Sequence, residues 1–99
     1  MRVMLRAHLD TMAANEGVRS GALPAALKKL MDTVRPEAAY FGPNAGVRTW
    51  WMVFDMQDSA QMPALLDDLY RQFNAEIEIT PVMDREGLEQ GLKAAAAQR

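Results

Sequence analysis

Val47-Arg48-Thr49-Trp50-Trp51-Met52-Val53-Phe54-Asp55-Met56 is the stretch on which the fold turns. A β-strand sends successive side chains to opposite faces. Trp50, Met52, Phe54 and Met56 therefore share one face, and Trp51, Val53 and Asp55 share the other. Both sets contain large apolar groups, so the strand belongs at the centre of a sheet and calls for cover on both sides. The adjacent tryptophans must point in opposite directions. Their spacing alone leaves open which of them meets helices.

The segments around this strand fall into a regular order. Residues 38–42 (AAYFG) read as a short strand, and Pro43-Asn44-Ala45-Gly46 reads as the turn that joins it to residues 47–56 as a hairpin. Upstream, residues 2–9 (RVMLRAHL) alternate, with Val3, Leu5, Ala7 and Leu9 on one parity and Arg2, Met4, Arg6 and His8 on the other. Asp10 or Thr11 can cap a following helix. That helix runs to Val34 with a stripe of Leu23, Leu27, Leu30, Met31 and Val34, but Gly17, Gly21 and Pro24 weaken it. One helix with an irregularity near 20–24, or two shorter ones, fits the pattern. Arg35-Pro36 ends it.

Downstream, Asp58-Ser59-Ala60-Gln61 has the form of a capping box. Met62, Leu65, Leu66, Leu69, Tyr70 and Phe73 then follow at helical spacing. Residues 75–83 alternate again, with Ile77 and Ile79 opposite Glu76, Glu78 and Thr80, and Pro81 marks a strand end or an edge. Residues 85–97 form a last helix with Leu88, Leu92, Ala95 and Ala96 on one side. No repeat or linker divides the chain, so residues 1–99 read as a single domain.

The order β-α-β-β-α-β plus a final helix predicts an α+β fold of ferredoxin-like topology. The four-stranded antiparallel sheet should run in the order 4-1-3-2, with both long helices on one face. Val3, Leu5, Ala7, Ile77 and Ile79 should pack under those helices. Either parity of the 47–56 strand then leaves large apolar groups on the face without helices, and a patch of that kind calls for a partner or ligand.

Composition narrows the function. Lys and Arg number 11 against 13 Asp and Glu, for a net charge of −2. Nucleic-acid modules draw affinity from a basic surplus, which is missing here, and the 2–9 strand lacks the stacking aromatic of an RNA-binding sheet. No stretch reaches the roughly 18 apolar residues of a membrane span, and charged residues interrupt any signal-like run near residue 1. The expectation is a cytoplasmic protein that binds neither membrane nor nucleic acid. Cysteine is absent and His8 is the single histidine, which removes disulfides and the usual zinc ligand sets. Asp55 and Asp58 lack a third ligand, so no metal and no cofactor is expected.

The stretches Arg2-Val3-Met4-Leu5-Arg6-Ala7, Arg35-Pro36-Glu37-Ala38-Ala39-Tyr40-Phe41, Val53-Phe54-Asp55-Met56, and Asn74-Ala75-Glu76-Ile77-Glu78 through Pro81-Val82-Met83 carry a resemblance. By them the chain resembles the dimeric α/β-barrel superfamily, and within it a functionally uncharacterised family of about one hundred residues. The resemblance implies a ferredoxin-like protomer that pairs sheet against sheet into a homodimer. The superfamily includes cofactor-free monooxygenases, haem-degrading enzymes, muconolactone isomerases and ligand domains of transcriptional regulators. Haem degraders place their histidine on a helix, whereas His8 lies in a strand pattern.

The candidate ligand-binding residues are Arg6, His8, Tyr40, Trp50, Trp51 and Phe54. His8 is the one side chain suited to proton transfer near neutrality, against the alternative of an interface histidine bonded to backbone or solvent. Arg6 with Glu76 and Glu78 can hold an anion or can form a structural cross-strand ladder. The aromatic groups can line a pocket or fill the core, and the eight methionines are compatible with either. Lys28-Lys29 and Asp67-Asp68 read as solvated helix faces. A homodimer that binds a small apolar or aromatic molecule without catalysis is the first expectation. A cofactor-independent monooxygenase- or isomerase-like enzyme acting on an aromatic or lactone substrate is the second.

Overall fold

Alternation in the first residues does produce a strand: β1 covers Arg2–His8 in the computed structural model, which describes Met1–Arg99. Helices α1 (Thr11–Ser20) and α2 (Ala22–Val34) follow, then strands β2 (Ala38–Asn44) and β3 (Val47–Asp55). A single turn of 3-10 helix (Ser59–Gln61) leads into α3 (Met62–Phe73), and β4 (Glu76–Pro81) and α4 (Arg85–Ala97) complete the chain. The fold is α+β, with a four-stranded antiparallel sheet in the order β2-β3-β1-β4. Counted from the other edge, this is the expected 4-1-3-2.

Local chemistry explains the boundaries. The Asp10 carboxylate accepts from the Ala13 N–H at 3.0 Å and caps α1. The capping box at the 3-10 turn is complete: Asp58 accepts from the Ala60 N–H at 2.9 Å, and Gln61 Oε1 accepts from the Asp58 N–H at 3.3 Å. Helix α2 stops at Val34, where Arg35 turns left-handed (φ 47) ahead of Pro36 and donates to the Met31 carbonyl. The long helical segment resolves into two helices. Their elbow is Gly21 at φ 84, a conformation that a Cβ would oppose.

The core lies between one sheet face and α1, α2 and α3. Val3, Leu5 and Ala7 of β1 and Trp50, Met52 and Phe54 of β3 are buried there with Leu30, Leu66, Leu69 and Phe73. The even-numbered parity of β3 is thus the helix side, and Trp50 is the inner tryptophan at 5% exposure. Ile77 and Ile79 pack against this cluster from β4. At Gly17 the backbone of α1 lies directly against the Phe73 ring of α3. A Cβ there would stand 2.5 Å from Phe73 Cε1 and 3.1 Å from Leu23 Cβ.

Two details depart from expectation. Strand β2 runs on through Pro43 and Asn44, so the hairpin turn is only Ala45-Gly46, with both residues at positive φ (53 and 81). This is the primed two-residue turn that matches the twist of paired strands. The last strand is shorter than residues 75–83, ending at Pro81, although the Val82 N–H still donates to the Arg2 carbonyl at 3.1 Å. Helix α4 buries none of its residues. The molecule is accordingly long, 56 × 28 × 18 Å, with a radius of gyration of 16.0 Å, against about 13 Å for a compact chain of this size.

Both irregular positions give expected outcomes. Gly17→Ala improves helix propensity by about 1 kcal/mol but forces a methyl into Phe73, so a net loss of about 1–2 kcal/mol is expected in urea denaturation. Unchanged stability would contradict the close packing of α1 on α3. Ala45→Asn relieves the cost of a left-handed alanine and should raise the denaturation midpoint by the equivalent of about 1 kcal/mol.

Candidate functional site

The sheet face without helices is built row by row from the strand register. Ala38, Val53, Met4 and Thr80 lie abreast across the four strands, and Tyr40, Trp51, Arg6 and Glu78 form the next row. Gly42, Thr49, His8 and Glu76 form the third. The face is therefore lopsided. Its β2–β3 half is apolar and aromatic, and its β1–β4 half is charged. Tyr40 is 70% exposed, Met4 is exposed and Trp51 half-buried. The Trp51 ring lies beside Gly42, with Cζ3 at an ordinary contact distance of 3.9 Å from where a Cβ would stand.

Polar side chains close both ends of this strip by reaching across β3. At one end His8 Nε2 and Asn44 Oδ1 meet at 2.9 Å, with His8 on β1 and Asn44 on β2. Beneath them Thr49 is 1% exposed, although it lies on the open face, and its hydroxyl donates to the Val47 carbonyl at 3.1 Å. At the other end the Arg2 guanidinium donates to Glu37, just before β2, and also pairs with Asp84 at 3.2 Å. The N-terminal ammonium binds Asp55 at 2.7 Å beside them. Between the two ends Arg6 pairs with Glu78, its cross-strand neighbour.

The charges respond to this arrangement. Glu37, with a smaller share from Asp84, holds the Arg2 guanidinium more firmly protonated than usual. The N-terminal ammonium holds the Asp55 carboxyl below its ordinary value. The Asp84 carboxyl is held down first by the Gly87 N–H, which it caps at 2.8 Å, and then by Arg2. All of these groups face water, so their energetic weight is small and their effect is on geometry.

The six expected site residues thus divide. Arg6, His8, Tyr40 and Trp51 come together on the open face. Trp50 and Phe54 lie on the helix side, buried at 5% and 2% exposure, and Trp50 meets Phe41 edge-on at 6.4 Å. Asn44, Glu37 and Thr49 join the site without having been singled out by sequence. Asn44 was legible in principle, since a two-residue Ala-Gly turn puts it opposite Val47 on the parity of Tyr40. No cluster of three His, Asp or Glu side chains stands close enough to share a metal ion. No helix is long and apolar enough to cross a membrane. No protein-family model matches the chain, and no curated protein matches it significantly.

A pH dependence follows at the Arg2 corner. The folded-state pKa of Asp84 is depressed, so its contribution to α4 is complete above the ordinary value of 3.8 and fades as pH falls below it. Helical circular dichroism and exchange of the Gly87 amide should report fraying of α4 as pH falls below about 4. Asp84→Asn keeps a good cap without the charge and should remove the step. The same acid loss at Gly87 in that variant would refute the assignment.

Proposed function

We propose that the chain acts as a homodimer whose two open sheet faces enclose a small apolar or aromatic molecule, with no catalytic step of its own. In this reading each chain is a ferredoxin-like protomer, and two of them pack sheet on sheet into a dimeric α/β barrel in the cytoplasm. The observation that carries it is the strip of Ala38, Tyr40, Trp51, Val53 and Met4, apolar in its middle and closed at both ends by side chains that span β3. A contiguous apolar patch with a polar rim is the surface expected of a binding site or interface. Stacked sheets stand about 10 Å apart, which leaves room for a flat ligand wherever small residues such as Ala38 and Gly42 line the face.

Binding stands ahead of catalysis for one reason. The face carries a single imidazole, His8, and its Nε2 is already engaged by Asn44. Glu76 stands opposite His8 in the register but makes no hydrogen bond to it, so no carboxylate orients the imidazole as a catalytic base requires.

Sedimentation equilibrium should find a dimer at micromolar concentration, and Trp51→Glu should raise its dissociation constant at least about tenfold, or 1.4 kcal/mol. Trp51 lies outside the core, so the variant should remain folded. Native mass spectrometry of the dimer against a panel of small aromatic compounds should show adducts that Tyr40→Ala weakens. Dimers that stay empty across the panel would leave the interface and remove the ligand.

A further inference from the structure

The two ends of the apolar strip are closed by different chemistry. At the Arg2 end one guanidinium is held by two carboxylates, Glu37 and Asp84. Opening that end separates charges, and Asp84 is also the cap that starts α4. At the hairpin end the closure is a single hydrogen bond, between the His8 imidazole and the Asn44 side-chain amide at 2.9 Å. It is the only side-chain hydrogen bond that either residue makes. Breaking it leaves no carboxylate without a partner, and both groups can turn to water at little net cost. The hairpin end is the weaker of the two.

A hollow of about 550 Å³ lies directly outside that weaker end. His8 itself lines it, with Val47 and Glu76 from the open-face parity and Leu9 and Met12 from beyond β1. The hollow lies off the ends of the strands, past the last row of the face. A second sheet stacked on the face therefore leaves it open to water. On the inner side, Thr49 beneath the bridge is 1% exposed, and the row of Tyr40 and Trp51 follows. Hollow, bridge and aromatic row thus stand in line along the strands. The bridge runs from β1 to β2, two strand spacings or about 10 Å, a width that admits an aromatic ring once the bond is broken.

We infer that the enclosed site is entered from the hairpin end, with the His8–Asn44 bridge as its gate. The inference rests on the homodimer reading above and adds to it the route of entry and the device that controls it. With the bridge closed, the strip is sealed at both ends. When His8 swings toward the hollow, a small aromatic molecule passes over Thr49 to Tyr40 and Trp51, while the Arg2 end stays shut. The single histidine of the chain then has a task that needs no proton transfer.

Acrylamide quenching of Trp51 fluorescence tests the gate with a small probe in place of a ligand. Trp50→Phe leaves Trp51 as the only indole. If that core change unfolds the protein, the wild-type chain serves, with buried Trp50 as the unquenched fraction. Every variant is measured at a concentration where sedimentation finds it dimeric. The dimer should shield Trp51 relative to the dilute monomer. Asn44→Ala or His8→Ala should then raise the quenching constant by on the order of fivefold, the population shift that one hydrogen bond supports. Because the two residues act through one bond, the double variant should do no more than either single one. Glu37→Gln, which leaves Arg2 its Asp84 contact, should have a smaller effect. A dimer that shields Trp51 but does not respond to both Asn44→Ala and His8→Ala overturns the gate and leaves the enclosed site intact. The same holds if the two effects add, or if Glu37→Gln matches them. A dimer in which Trp51 is quenched as freely as in the monomer, or a chain monomeric throughout, overturns both readings.

Discussion

Strand β3 carries large apolar side chains on both faces, and the chain supplies a helical layer for only one of them. The rest of the structure depends on that imbalance. Trp50, Met52 and Phe54 anchor the core between the sheet and α1, α2 and α3. Trp51 and Val53 are left on the other side, half-buried by their neighbours alone. The choice of face is not arbitrary. β1 supplies Val3, Leu5 and Ala7 on one parity and two arginines and a histidine on the other, so only the first can lie under helices. Since β1 pairs with β3 in a fixed register, the parity of β1 decides which tryptophan goes inside. A slip of one residue would turn every side chain of β3 over.

The polar pairs on the open face contribute to order more than to stability. The His8–Asn44 bond is part-buried, whereas the Arg2 and Arg6 ion pairs reach water, where such pairs are worth little individually. Their value lies in span. His8 to Asn44 and Arg2 to Glu37 each connect β1 to the β2 side across the intervening β3. They tie three strands together at the two ends of the sheet, and they confine the apolar surface to the middle. Charged and polar side chains at the ends and along β4 also discourage edge pairing with the wrong partner. A face arranged in this way favours one mode of cover over many.

Much of the fold was legible in the sequence because its signals are local. Alternation in residues 2–9, the stripe from Met62 to Phe73 and the capping box at Asp58 each rest on spacing within one element, and the sheet order follows from their succession. What was not legible depends on distance along the chain. The inner tryptophan stayed ambiguous because both parities of β3 are apolar, and only pairing with β1 breaks the tie. Gly17 reads as a weak point in a helix, whereas it is the place where α1 meets the Phe73 ring. The candidate site was half legible: Arg6, His8, Tyr40 and Trp51 share a face, but Asn44 and Glu37 acquire their roles through contacts 36 and 35 residues away.

Part of the apolar surface that remains outside the core is gathered rather than scattered. Sixteen hydrophobic residues form the core, and several of the large exposed ones fall in three places: Met4 and Tyr40 on the open face, Phe41 in the groove beside α1, and Leu88 and Leu92 on α4. The groove lies on the helix side of the sheet, whereas the base of α4 is held at Arg2 on the open face. A domain of this size buries only a little over about 60% of its unfolded surface on its own. A single layer of helices leaves one face of the sheet uncovered, and the half-covered strand β3 lies at the centre of that shortfall.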